Sequence, residues 1–75
     1  MVDFNELERQ MSEGEMALFI ATAMGMYSAI EAGANQKNLQ DRLATHRQNF
    51  AVRGQAKAAL IMEALMAMVQ STTPK

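Results

Sequence analysis

Apolar and polar positions divide this 75-residue chain into two helical stretches separated by one clear turn. Met16 to Ile30 is an uncharged run bounded by Glu15 and Glu31. Within and just beyond it a small residue recurs at every fourth position: Ala17, Ala21, Gly25, Ala29 and Gly33. The residues between them are bulky, among them Leu18, Phe19, Ile20, Met24 and Met26. An i, i+4 row of small residues flattens one ridge of a helix, so another helix can approach it closely. Each step of four advances about 40° around the helix, so the five members sweep about 160°. No single straight neighbour reaches all five, and the helix crosses its neighbour at an angle or has two of them. Further along, Leu39, Leu43, His46, Phe50, Gly54, Ile61, Leu65 and Met68 form a second helical stripe.

The punctuation supports the same division. Ser12-Glu13-Gly14-Glu15 matches a capping box directly before the apolar run, and Asp3 followed by Glu6 can cap a short helix carrying Phe4, Leu7 and Met11. Gly33 suits the left-handed position that ends a helix, and Asn35 or Asn38 can cap the next one. The pattern predicts an all-α fold, an antiparallel helical hairpin with a short N-terminal helix or helix extension over 3–11. The main helices are placed at 13–32 and 38–70, with a frayed tail over 71–75, all in one domain. A hairpin turning near residue 35 brings Phe50 over the Ala21 region, Glu15 near Lys57, and Glu31 near Lys37 or Arg42.

Composition narrows the function classes. A chain this short buries only a thin core, and without cysteine neither a disulfide nor a thiolate metal site can reinforce it. Partners remain as the source of extra stability. The uncharged run rises roughly 22 Å, short of the ~30 Å bilayer core, so no membrane span is expected. Asp3, Glu6 and Glu8 stand where a signal peptide has positive charge, and the chain reads as cytoplasmic. Charge is split: residues 1–36 are acidic apart from Arg9, and residues 37–75 are mainly basic. Such a split suits helices that fold back on each other, or docking on another chain.

Catalytic chemistry has no foothold. There is one histidine, and the glycines are scattered rather than gathered in a phosphate-binding loop. No enzyme activity, cofactor, metal or small-molecule substrate is expected, and His46 reads as a packed or half-exposed side chain at the edge of the apolar stripe. Arg42, His46, Asn49, Arg53 and Lys57 fall within roughly 60° of one another on the second helix. With a net charge of −1 and a single Tyr, this basic stripe reads as a solvated flank rather than a nucleic-acid site.

The surplus of apolar residues is the informative part. Leu60, Met62, Met66 and Val69 fall off the second stripe, and several bulky residues of the first helix have no place in a two-helix core. A helix that is hydrophobic nearly all round belongs inside something larger. Methionine is frequent on surfaces that must fit a partner. The partner-binding face is therefore assigned to Ala21, Met24, Gly25, Met26 and Ala29 on the first helix, and to Leu60, Met62, Leu65, Met66 and Val69 on the second.

The stretch Arg47-Gln48-Asn49-Phe50, through Lys57-Ala58, to Ala64-Leu65-Met66-Ala67-Met68-Val69 resembles the closing helix of the small needle co-chaperones of type III secretion systems, the YscE-like family. The resemblance implies a cytoplasmic helical hairpin paired with a larger tetratricopeptide-like chaperone, the two keeping a needle subunit unpolymerised. It assigns no individual residue a role. The expected function is a non-enzymatic co-chaperone or assembly subunit that packs on a helical partner. The alternatives are a homo-oligomeric bundle and, third, a nucleic-acid-binding dimer using Arg42, Arg53 and Lys57, whose mark is affinity falling steeply with salt. On the leading reading Gly25→Leu or Leu65→Asp abolishes co-elution with the partner, and His46→Ala does little. Retained binding by both of the first two variants contradicts it.

Overall fold

A computed structural model describes residues 4–72, and the regular structure among them is entirely helical. The elements are α1 (Phe4–Gln10), α2 (Glu13–Glu31), α3 (Gln36–Val52) and α4 (Ala56–Ser71). The expected cap at Asp3 and positions 73–75 of the tail lie outside the described residues.

Local chemistry explains the starts. The Ser12 hydroxyl accepts the Glu15 N–H at 3.2 Å and the Glu15 carboxylate accepts the Ser12 N–H at 3.1 Å, closing the capping box that opens α2. Asn35 Oδ1 accepts the Asn38 N–H at 2.9 Å, so α3 begins at Gln36, two residues ahead of the expected start.

The single second helix expected over 38–70 is not what forms. It is divided at 53–55, giving four helices in place of the two or three anticipated. The Gly54 N–H bonds to the Ala51 carbonyl at 3.1 Å and the Gln55 N–H to the Phe50 carbonyl at 2.9 Å. The end of α2 has the same pair of bonds, Gly33 to Ile30 at 3.0 Å and Ala34 to Ala29 at 2.9 Å. Both are Schellman turns, which satisfy the last carbonyls of a helix and place the residue after the cap in the left-handed region. Gly54 at φ +75° and Gly33 at φ +105° hold those positions, where any Cβ is strained. Gly54 is thus a helix stop and not a member of the stripe.

This stop changes the register. α3 and α4 pack antiparallel about the 53–55 turn: Gln36 Nε2 donates to the Val69 carbonyl at 2.6 Å and the Thr72 carbonyl at 3.1 Å, and Gln40 Nε2 donates to the Met66 carbonyl at 2.9 Å. α2 runs parallel to α4. Lys57 Nζ donates to Glu15 Oε1 at 2.8 Å where both helices begin, and Tyr27 and Glu31 border Ser71 and Thr72 where both end. The Glu15–Lys57 pair is therefore present, made between α2 and α4. Phe50 does not cover Ala21: α2 and α3 scarcely approach each other, and Ala21 is exposed. Lys37 pairs with Asp41 at 3.0 Å, one turn along its own helix.

α4 lies at the centre and contributes Ala64, Leu65 and Val69 to the core. Phe19, Ala23 and Ile30 of α2, Leu43 of α3 and Leu7 of α1 close on them. The Ser71 and Thr72 hydroxyls donate to the Met68 carbonyl at 2.8 and 2.9 Å, and α4 ends at Ser71 with Thr72 as its cap.

Two predictions follow from these contacts. Gly54→Ala forces a side chain into the left-handed region and is expected to cost roughly 1–2 kcal/mol in urea unfolding. An unchanged midpoint would show that the helix runs through. The Glu15 carboxyl is lowered from 4.5 to about 2, by its bond from Lys57 first and the Ser12 N–H second. Its folded value lies below its unfolded one, so its contribution is present above pH 4.5 and is lost as pH falls from there towards 2. Melting temperature followed across that window is expected to fall less steeply in Glu15→Gln than in the parent.

Candidate partner-binding surface

α2 turns one narrow stripe inward. Phe19, Ala23 and Ile30 are buried on it, with Met16, Met26 and Tyr27 half-buried beside them. The rest of the uncharged run faces out. Leu18, Ile20 and Met24 are 71%, 50% and 48% exposed, and Ala17, Ala21, Gly25 and Ala29 are exposed with them. The Thr22 hydroxyl donates to the Leu18 carbonyl at 2.8 Å, so its hydrogen-bonding capacity is spent on its own helix. Space is open at Gly25, where an added Cβ would meet no atom within 4 Å. An exposed glycine in mid-helix costs up to about 1 kcal/mol relative to alanine, and the fold gains no packing from it.

Two grooves run along this helix and share Thr22. The first, of about 270 Å³, lies between α2 and α4 with Met11 at its end, and is lined by Leu18, Phe19, Ile61, Met62 and Leu65, with Glu15 at its rim. The second, of about 450 Å³, lies between α2 and α3 and is lined by Gly25, Met26, Ala29, Leu39 and Arg42, with Ala34 and Asn35 of the turn closing it. Together they make a trough from Glu15 to Ala29.

The residues assigned to a partner face separate into three places. Ala21, Met24, Gly25 and Ala29 are exposed on α2, and half-buried Met26 lines the second groove. On α4, Leu60, Met62 and Met66 are half-buried; Met62 lines the first groove, and Met66 borders a polar depression with Gln36, Gln40 and Gln70. Leu65 and Val69, 3% and 1% exposed, belong to the core, and of the two Leu65 reaches the lining of the first groove. Leu65→Asp is therefore a folding variant. Leu18, Ile20 and Thr22 were not assigned to the face, although they lie in the same uncharged run, and Arg42 enters as a wall of the trough.

His46 is exposed on α3 and is not part of the packed core. Arg42, His46, Asn49 and Arg53 keep one side of α3, the side on which Arg42 borders the trough. Lys57 no longer continues that stripe; it opens α4 and pairs with Glu15. Among the described residues no helix is long and apolar enough to cross a membrane, and no three His, Asp or Glu side chains gather as a metal site requires. No protein-family model, curated protein or solved structure matches the chain.

Gly25→Ala is expected to raise stability by roughly 0.5–1 kcal/mol in urea unfolding, since the helix gains propensity without a clash. A loss of stability would place Gly25 under a constraint from the fold itself.

Proposed function

We propose that this chain is a small, non-enzymatic interaction protein, a co-chaperone or assembly subunit that packs on a helical partner in the cytoplasm. One observation carries the reading. The outer face of α2 is uncharged from Met16 to Ile30 and leaves Leu18, Ile20 and Met24 in solvent beside a row of small residues. Monomeric surfaces rarely keep a contiguous apolar strip of this kind, and helix-in-groove recognition uses one. Handling of a secretion-needle subunit, implied by the likeness of residues 47–69, is the specific form of this role; that stretch is crossed by the turn at Gly54.

The test pairs the parent with Leu18→Glu/Met24→Glu. The parent is expected to bind an apolar dye such as anilinonaphthalene sulfonate, and to scatter light above its 8.3 kDa monomer mass or to melt broadly when alone. The variant keeps its helical circular dichroism and loses both the dye binding and any excess mass. A parent that is monomeric, melts sharply and binds no dye refutes the proposal.

A further inference from the structure

Resting on that reading, we infer that the trough along α2 receives one amphipathic helix of a different protein, with its apolar face down and an acidic edge toward α3. The shape is that of a bundle with one member missing. α2 and α3 both lean on α4 but scarcely approach each other, which leaves an open channel above the contact between α2 and α4. From Glu15 to Ala29 the channel extends about 21 Å, the rise of about four helical turns. Its α2 wall is built at Gly25 and Ala29 from residues small enough to let a helix axis come close, and Ile61 and Met62 supply an apolar floor.

Charge decides what that helix carries. The three ion pairs among the described residues are Arg9 with Glu6, Lys37 with Asp41 and Lys57 with Glu15, and none of them takes up Arg42 or Arg53. Arg42 stands in the α3 wall, with His46 and Arg53 exposed on the same side of that helix. The α2 wall has no charge to offer, and Glu15 at the rim is already engaged. A docked helix thus meets positive charge along one edge only, and acidic side chains there gain attraction while basic ones are repelled.

Among the described residues no helix is free to fill the trough, since α4 is the shared core helix and carries a single acid, Glu63. α2 has acidic residues only at its ends, and α3 is basic. α1 is acidic, but it is seven residues long and its Leu7 is buried in its own core. A second copy therefore fits poorly, and the occupant is foreign.

The probe is a fluorescent synthetic helix of about 16 residues with a Leu/Ala face and Glu along one edge, compared with the same helix carrying Lys there. Fluorescence anisotropy with the full chain at low salt is expected to show the Glu helix binding at least about tenfold more tightly. Arg42→Glu/Arg53→Glu reverses that preference. Gly25→Leu, which has room to fold, weakens both peptides while leaving the circular dichroism unchanged. Equal binding of the two peptides, untouched by the Arg variants, overturns the inference; the interaction role itself survives if Leu18→Glu/Met24→Glu still removes association. Neither peptide binding, with self-association that Gly25→Leu abolishes, assigns the trough to a second copy and also overturns it. So does salt-sensitive binding of a single-stranded oligonucleotide that is lost in Arg42→Glu, without peptide binding.

Discussion

Three helices share one. α4 is the helix against which α1, α2 and α3 all make their main contacts, and its Ala64, Leu65 and Val69 are the centre of the core. A helix of this kind has a limited circumference, and close packing on one flank takes that flank from every other neighbour. α3 takes the longest contact, held in register by Gln36 and Gln40, whose side-chain amides donate to carbonyls near the end of α4. α2 is left with a narrower strip of α4, enough to bury Phe19, Ala23 and Ile30 and little more. The bare outer face of α2 is therefore a consequence of how α4 is divided among its neighbours.

That division depends on Gly54. Were residues 36–71 one continuous helix, it would extend about 54 Å, while α2 with 19 residues extends about 28 Å. Half of the long helix would find nothing in the chain to cover it. The left-handed turn at Gly54 folds it back on itself, and the longest dimension of the molecule is 34 Å. The two Schellman turns are the same device used twice, and together they set α3 antiparallel to both of its neighbours.

The features written in short-range chemistry were legible in the sequence. Ser12 with Glu15, Gly33 at the end of α2 and Asn35 before α3 each act within a few residues, and each is found doing what its position implies. Gly54 was not legible as a stop because the stripe stays in helical phase across it. The residue that follows gives no sign of a start either: Gln55 precedes α4 with no side-chain cap bond. The inward side of α2 was hidden for another reason. A helix apolar nearly all round has no strong periodicity to say which stripe is buried. A row of small residues says that a helix can approach there, without saying whether that helix is in the same chain. On α2 no helix of the described residues covers that row, and for Leu65 and Val69 on α4 the reverse holds: they were assigned outward and lie inward.

Several of the local costs in this fold gather on α2. A glycine with open space around it in the middle of an exposed helix and three large apolar side chains left in solvent are each unfavourable for an isolated chain. They occur on one helix, with Leu18 and Gly25 lining its trough and Ile20 and Met24 on its other flank, and the arginine on the opposite wall has no acidic partner among the described residues. Elsewhere the fold closes both Schellman turns and pairs Lys57 with Glu15, although Phe4 and Val52 are also left exposed. Where local choices conflict with the fold, the surface that carries the conflict is a candidate for a role outside it. On the proposed reading, a close-approaching helix with an acidic edge would cover Leu18, use the space at Gly25 and neutralise Arg42.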